Sequence, residues 1–323
     1  MIQSITTNDG NRPLQWFIWQ LNLHCPFHCY YCNEFTWGDK RPARFTWDVY
    51  NRMCDEIIER YQYGHIEFTG GEPLYFPYID QVIDKFYKAG FTVGVFTNLG
   101  KNIEAYKNWL GKLVYIAASY HPDVIKTNEQ RESWFSRVKQ LAKDIPIVVR
   151  CMLDPKHFDH CLDVMKTLSV EDIKMVEPVR LMKFENEIVA NPDTADEYYT
   201  KEQNDIIDQL ELKNSPTPFD RYIPNEVIID NVKHKDAEGF TNLTKILRSR
   251  ENKFKDWSCD IGTNSLHIRG DGMVAKGGCH CYDNKFIGSI DKPDNIQWPI
   301  ESTICPYDLC HCDADVFISK RAV

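Results

Sequence analysis

The sequence predicts an α/β protein built on a parallel β-sheet, open or partly closed into a barrel, with a small cysteine-rich module near its C-terminal end. From about residue 16 to residue 181, short β-branched or aromatic segments alternate with segments of helical period. From residue 257 onward, glycines and cysteines punctuate short strand-like segments. Because strands separated by helices pair in parallel, the alternating region should form one continuous sheet.

Six segments of the alternating region have the composition of strands, and helical segments fill the gaps between them. Between residues 47 and 61 the apolar side chains recur at the i, i+3, i+4, i+7 spacing of a buried helix face. The strand candidates are 17–23, 65–69, 91–97, 113–119, 145–151 and roughly 172–181. The other helical candidates are 79–86, 103–110, 134–141 and 158–165.

Residues of distinctive chemistry follow the predicted strands at their C-terminal ends. In parallel α/β sheets these ends meet at one edge, where catalytic residues gather. Three cysteines follow the first strand, Gly70-Gly71-Glu72-Pro73 the second, Asn98 the third and Ser119-Tyr120-His121-Pro122 the fourth, and Arg150 closes the fifth. The sequence therefore predicts a site at this edge of the sheet.

Charge and hydropathy exclude some classes of function. The chain has 38 Lys+Arg against 47 Asp+Glu and a net charge of -9, which disfavours binding to duplex DNA or to an anionic membrane. No apolar run approaches the roughly 20 residues that cross a bilayer. The polar segment 1–11 lacks the apolar core of a secretory signal, so we expect a cytoplasmic protein whose 12 cysteines stay reduced.

Cys25, Cys29 and Cys32 form a CxxxCxxC motif directly after the first predicted strand. Three neighbouring thiolates can hold three corners of a 4Fe–4S cluster and leave the fourth iron open to a ligand. The alternative is a structural zinc ion, for which His24 or His28 would supply the fourth ligand. The motif by itself indicates a metal centre of one of these two kinds.

Together with the GGEP segment at 70–73, this motif resembles the radical S-adenosylmethionine (radical SAM) superfamily, in which Tyr31 takes the aromatic position of CxxxCxΦC. The resemblance implies a partial (β/α)₆ barrel, similar to a TIM barrel, over residues 14 to about 185. It also implies that Cys25, Cys29 and Cys32 hold a 4Fe–4S cluster whose open iron binds the amino and carboxylate groups of SAM. One electron then cleaves SAM to a 5′-deoxyadenosyl radical.

Residues of the GGEP turn are expected in the SAM pocket on chemical grounds. Gly70 and Gly71 permit close approach of the backbone, and Pro73 fixes the turn that follows. We expect this turn to expose carbonyls and the Glu72 carboxylate to the ammonium group of SAM. A plain turn at the end of a strand is the alternative.

Four further residues complete the predicted pocket by the resemblance. By strand position, Ser119 resembles the residue that contacts the ribose, and Arg150 resembles the one that pairs with the SAM carboxylate through two parallel hydrogen bonds. Tyr31 and Asn98 are also assigned to the pocket. Asn98 and His121 carry a weaker signal, because both residue types are common in loops.

The C-terminal cysteines resemble those of SPASM and twitch domains, which hold auxiliary 4Fe–4S clusters. This resemblance implies one auxiliary cluster in a module spanning 257–315. The polar, charge-rich segment 186–256 before it is predicted to be a connector, with helical patterns around 198–212 and 240–247. A zinc ribbon is the competing interpretation. The predicted ligands are Cys259, Cys279, Cys310 and Cys312, with Cys281 and Cys305 in reserve.

The resemblance implies an oxygen-sensitive enzyme that removes a hydrogen atom from a small or peptide-derived substrate and takes its electron from a flavodoxin- or ferredoxin-like donor. Within the family, such extensions accompany oxidation, crosslinking or epimerisation of ribosomally made peptides, and dehydrogenation of small molecules. The barrel is predicted to begin within about 15 residues of residue 1, and we expect this to weaken the peptide alternative. The rival from another class is a non-catalytic, zinc-stapled interaction protein.

Overall fold

The fold was analysed in a computed structural model. It describes residues 2–9, 11–32, 38–170, 173, 175–181, 184–186, 189–190, 197–213, 226–235, 246, 251–310 and 313–323.

The strands fall into a main sheet, a second sheet and one short hairpin. They are β1 (Ser4–Asp9), β2 (Arg12–Pro13), β3 (Trp16–Gln20), β4 (His65–Thr69), β5 (Thr92–Thr97), β6 (Tyr115–Tyr120), β7 (Ile147–Leu153), β8 (Val176–Arg180), β9 (Phe184–Asn186), β10 (Val189–Ala190), β11 (Glu226–Ile229), β12 (Val232–Lys235), β13 (Ser258–Cys259), β14 (Ser265–Ile268), β15 (Met273–Ala275), β16 (Phe286–Ser289), β17 (Thr303–Ile304) and β18 (Lys320–Arg321).

The helices lie mostly between the strands of the main sheet. The longer ones are α1 (Trp47–Tyr61), α2 (Ile79–Lys88), α3 (Asn128–Leu141), α4 (Phe158–Val170) and α5 (Lys201–Lys213), and two short ones are α6 (Gly278–Tyr282) and α7 (Asp313–Val316). Single turns of 3₁₀ helix occur at Pro73–Tyr75, Pro155–His157 and Pro293–Asn295, and a longer 3₁₀ helix at Ile103–Trp109. Within the described residues, no helix has the length and apolar character needed to cross a membrane.

The main sheet confirms the predicted fold class. Strands β3 to β8 lie side by side in chain order, and each pairs in parallel with the next. The four predicted helix faces of α1 to α4 pack on this sheet, where Tyr50, Met53 and Ile57 of α1 are buried. The predicted helix at 103–110 is a 3₁₀ helix instead, capped by the side chain of Asn102.

Alternate residues of the parallel strands face opposite sides of the sheet. On the helix-covered side, Phe17, Trp19 and Phe68 enter the large apolar core. On the other side lie Glu67 and Tyr115, which are buried and hydrogen-bonded to each other. A cavity opens on this second side of the sheet, at the ends of the strands. The helices therefore position the strand ends from the opposite side and do not enter the cavity.

The C-terminal strands extend the main sheet. β14 pairs in parallel with β3, from Ser265 beside Trp16 to Ile268 beside Trp19, and β15 and β16 continue the sheet in antiparallel order. The sequence pattern did not indicate this junction between the first strand and a segment almost 250 residues later. The division at 185 and 257 remains a prediction.

The second sheet joins both ends of the described chain to the connector. Its order is β12-β11-β1-β18-β13-β17, with β2 paired to β1. The described parts of 186–256 include α5, close to the helical pattern expected around 198–212, and the hairpin of β11 and β12. The second helical pattern of the connector, at 240–247, lies outside the described residues except for Ile246.

Candidate active site

A cavity of about 220 Å³ opens at the C-terminal ends of β3 to β7. It brings together the three motif cysteines and most of the residues assigned to the pocket from sequence. Its lining consists of Cys25, Phe27, His28, Cys29, Cys32, Thr69, Gly70, Gly71, Glu72, Phe96, Thr97, Asn98, Ser119, His121, Arg150 and Met152. Tyr31 is the assigned pocket residue that is missing from this lining.

The cysteine loop between β3 and α1 holds the three thiols at the edge of the cavity. The Sγ of Cys25 accepts hydrogen bonds from the backbone N–H of Phe27 at 3.5 Å and from Asn98 Nδ2 at 3.7 Å. Burial raises the pKa of Cys25 to about 11. A hydrogen bond between Cys29 and Cys32 raises the pKa of the first and lowers that of the second, so the thiols already interact.

The spacing of ligand atoms argues against a zinc ion on this loop. A tetrahedral zinc ion with sulfurs at about 2.3 Å holds its ligand atoms within about 4 Å of one another. Among the described residues, only Asp123, Asp154 and His157 bring three such atoms within 4.8 Å. His24 instead places its Nδ1 3.3 Å from the carbonyl of Asp39. Three thiols around one cavity suit a cubane cluster with one open corner.

Gly70 and Gly71 fit tightly against the cysteine loop. A Cβ on Gly71 would lie 2.4 Å from the carbonyl oxygen of His24, and one on Gly70 would lie 2.6 Å from that of Asn22. The N–H of Gly71 donates to the Asn22 carbonyl at 2.9 Å, and the N–H of Glu72 donates to the His24 carbonyl at 2.8 Å. The glycine pair therefore lets the turn after β4 dock directly on the backbone that precedes the first cysteine.

Gly71→Ala should displace the cysteine loop, because the added Cβ meets backbone atoms that cannot rotate away. We expect a loss of about 1–3 kcal/mol in unfolding free energy, together with a lower iron content and weaker SAM binding. The control is Gly111→Ala, whose Cβ meets nothing within 4 Å. Its φ of 74°, unlike the φ of Gly71, strains an added side chain, so this variant should lose stability without losing iron or SAM affinity. Full iron content and wild-type SAM affinity in Gly71→Ala would contradict this role of the contact.

The expected exposure of the Glu72 carboxylate is wrong. Glu72 is 1% exposed, and its carboxylate accepts hydrogen bonds from Leu74 N at 3.1 Å, Thr97 Oγ1 at 2.7 Å and Asn98 N at 2.7 Å. Burial nevertheless raises its pKa to about 7. The carboxylate caps the turn and ties the ends of β4 and β5 together, so the turn offers its backbone to the cavity.

Ser119, Arg150 and Glu177 stand side by side on β6, β7 and β8. The Nε of Arg150 donates to Glu177 Oε2 at 3.0 Å, and the guanidinium lies 5.2 Å from the ring centre of Phe96. Sequence reasoning missed Glu177. Its signal was its place within the last predicted parallel strand, at roughly 172–181, where an acidic residue can pair with an arginine on the strand before it.

His121 connects the cysteine loop to the end of β6. Its Nδ1 lies 3.5 Å from Cys29 Sγ and 3.0 Å from the Tyr31 hydroxyl, and its ring stacks on that of Tyr31. Tyr31 is 6% exposed. Tyr31 therefore stabilises the cysteine loop through its contacts with His121. Tyr31 itself does not line the cavity.

The second cysteine group is assembled around β13, α6 and the chain before α7. Cys259, Cys279, Cys305 and Cys310 are all buried in one cluster. Burial raises the pKa of Cys310 and of Cys279. Cys259 and Cys305 raise the pKa of Cys310 further, and Cys310 and Cys259 do the same for Cys279, so these thiols lie close enough to interact. Cys305, held in reserve by the sequence prediction, thus joins three of the predicted ligands.

The two remaining cysteines of this region stand differently. Burial raises the pKa of Cys281, and the charged groups that also act on this pKa are Arg269, Asp271 and Asp315 rather than another cysteine. Cys281 is therefore not counted in the group of four. Cys312, the fourth predicted ligand, lies outside the described residues.

Solved structures of other proteins share this fold. Native anSMEcpe with bound AdoMet has a similar fold, with a TM-score of 0.55 and 14% identity over 86% of this chain and 78% of that one. Streptococcus suis SuiB bound to S-adenosylmethionine gives a TM-score of 0.51 and 10% identity over 89% and 66%. These likenesses show the fold alone. No curated protein matches the sequence.

The sequence itself matches a family over the strands and loops that build the cavity. Residues 20–168 fit the model of the radical SAM superfamily. This range includes both the three-cysteine motif and the glycine turn that docks on it. The chain therefore carries a domain of the radical SAM superfamily, which implies an enzyme that uses SAM and a SAM-binding 4Fe–4S cluster.

Proposed function

We propose that this protein uses SAM to generate a 5′-deoxyadenosyl radical and removes a hydrogen atom from a peptide or a peptide-derived substrate. The observation that carries the proposal is the meeting of the three motif cysteines, the glycine turn and Arg150 around one cavity. When bound, the 4Fe–4S cluster supplies the electron that cleaves SAM. The test is release of 5′-deoxyadenosine and methionine by the reduced, reconstituted protein, and absence of both products would contradict the proposal.

Each part of the cavity has a proposed role. Cys25, Cys29 and Cys32 hold the cluster. The backbone of the glycine turn and Asn98 receive the polar groups of SAM, and Ser119 receives the ribose. Arg150, whose Nε donates to Glu177, pairs its guanidinium with the SAM carboxylate. Phe96 and Met152 line the same cavity and exclude water from the reacting atoms.

We also propose an auxiliary 4Fe–4S cluster in the C-terminal region. Its proposed ligands are Cys259, Cys279, Cys305 and Cys310. Cys312, which the sequence predicts as the fourth ligand, stays the alternative to Cys305. Four buried thiols within one cluster supply a closed set of ligands for a cubane.

A peptide substrate is supported by the proteins that share the fold. One structure is native anSMEcpe with bound AdoMet and Kp18Cys peptide, with a TM-score of 0.56 and 14% identity. Another is Streptococcus suis SuiB bound to precursor peptide SuiA, with a TM-score of 0.50 and 11% identity. We expect a flavodoxin- or ferredoxin-like electron donor. We infer a cytoplasmic location, because the free thiols of both groups need a reducing compartment.

The two proposed clusters predict about eight irons per chain after anaerobic reconstitution. Cys305→Ala should reduce the count to about four, because it removes a ligand of the auxiliary cluster. Cys281→Ala is the control, since this cysteine is also buried but is not counted in the group of four, and it should keep about eight irons. Iron and sulfide analysis with visible absorption measures both variants. The opposite pattern would assign Cys281 in place of Cys305.

A further inference from the structure

Lys320 is a buried lysine beside the second cysteine group. It is 4% exposed and lies on β18 directly opposite Cys259 of β13. Side chains of directly opposed residues in an antiparallel pair project on the same face, with Cβ atoms about 4.5–5.5 Å apart. The ladder therefore points the ammonium group of Lys320 to the side on which the Cys259 thiol lies.

The contacts of this ammonium are neutral. Its Nζ donates to the carbonyls of Asp315 at 2.6 Å and Val316 at 3.2 Å, and it lies 4.9 Å from the ring centre of Phe254. Among the ion pairs within 4.0 Å that the described residues form, Lys320 has none. A buried charge without a nearby opposite charge is costly.

The groups that favour its charge are mainly the cysteines. Burial lowers the pKa of Lys320, but Cys310, Cys259 and Asp315 outweigh burial and raise it. A 4Fe–4S cluster bound by four thiolates would carry a net negative charge at this position. Such a cluster would supply the anionic partner that the carbonyl contacts do not.

We propose that Lys320 is the buried counter-cation of the auxiliary cluster and raises its reduction potential. The inference rests on the proposed function, because it requires that cluster. One-electron reduction adds a negative charge to the cluster, and a fixed cation in a medium of low dielectric stabilises the more negative state more strongly. Lys320 thereby makes the auxiliary cluster a better electron acceptor.

Asp315 acts in the opposite sense. It is 3% exposed, and its carboxylate accepts hydrogen bonds from Gly278 N at 3.2 Å and Cys279 N at 2.9 Å. This carboxylate holds the start of α6, which carries Cys279, and places a negative charge near the same cluster. Two buried charges of opposite sign therefore flank the cysteine group, and each can be neutralised separately.

The experiment measures the midpoint potential of the auxiliary cluster by redox titration monitored by electron paramagnetic resonance. The background is the full chain with Cys25, Cys29 and Cys32 replaced by alanine, so that only one cluster contributes. Lys320→Met should lower the potential, so that at a fixed ambient potential the ratio of reduced to oxidised cluster falls on the order of tenfold. Asp315→Asn should raise the potential.

Lys285→Met is the matched control. This lysine lies in the same region, but its side chain is 52% exposed and paired with Asp283, so solvent screens it and the potential should not move. An unchanged potential in iron-replete Lys320→Met, or an equal shift in Lys285→Met, would overturn the inference. Lys320→Gln, which keeps a hydrogen-bond donor, decides the question if the methionine variant loses its iron.

Loss of iron in both Lys320 variants would also count against tuning, because it would make Lys320 a requirement for assembly. Iron analysis of the protein with all its cysteines precedes the titration. A count near four irons per chain would show that the auxiliary cluster is absent, which would contradict the proposed function. An unshifted potential in a protein with eight irons would contradict only the role of Lys320.

Discussion

Replacing Cys25, Cys29 and Cys32 together by alanine should abolish SAM cleavage and remove about half of the iron. These three thiols face the cavity with Arg150 and the glycine turn, and no other cysteine lines it in the described part of the chain. Without them the electron has no route to SAM, while the auxiliary cluster, in a separate buried group, stays intact. Chromatographic detection of 5′-deoxyadenosine and iron analysis of the same sample measure the two effects.

Cys54→Ala is the control for this variant. Cys54 is fully buried in the helix-covered core on α1, where it behaves as a small apolar side chain. Its loss should lower stability but leave iron content and SAM cleavage per folded molecule unchanged. Continued formation of 5′-deoxyadenosine by the triple variant would show that the catalytic cluster lies on other cysteines.

Arg150→Ala should weaken SAM binding about thirtyfold while iron content and colour stay unchanged. Losing one charge-assisted contact to the SAM carboxylate costs about 2 kcal/mol, and each 1.4 kcal/mol is about a factor of ten in affinity. Arg150 lines the cavity from β7, and its Nε donates to Glu177 on the neighbouring strand β8, so we expect cluster assembly not to depend on it. Equilibrium binding of SAM to the reconstituted protein gives the ratio of dissociation constants.

Two further variants separate charge from geometry at this position. Arg150→Lys should recover part of the affinity for SAM, because it restores the positive charge but not the planar guanidinium that can form two parallel hydrogen bonds. Glu177→Gln should weaken binding less than Arg150→Ala does, since it keeps the guanidinium but loosens its support at Nε. Wild-type SAM affinity in iron-replete Arg150→Ala would place the carboxylate elsewhere in the cavity.

The parallel sheet could be predicted because its signals are local. Helical periods and β-branched segments alternate with short spacing, and each strand pairs with the next one along the chain. The rule that the C-terminal ends of parallel strands meet at one edge was then enough to predict that Cys25, Gly71 and Arg150 share one site. Local patterns thus carry both the core of the fold and the outline of the site.

The features that were missed depend on contacts between distant residues. β14 joins β3 through backbone hydrogen bonds, which leave no pattern in either segment. Glu72 was expected to face the ligand, but Leu74, Thr97 and Asn98 supply three donors that turn its carboxylate inward. Cysteine spacing alone could not place Cys305 among the ligands. Cys305 directly follows β17, and the pairing of β17 with β13 brings it close to Cys259.

The pairing of β3 with β14 also determines when the main sheet can finish folding during translation. β3 borders the group of six parallel strands, and its outer edge has no partner until residues 265–268 leave the ribosome. An unpaired edge that carries Phe17 and Trp19 is a template for aggregation. Folding of the catalytic half should therefore finish only after translation of the C-terminal strands, and a nascent chain that stalls before β14 should require a chaperone.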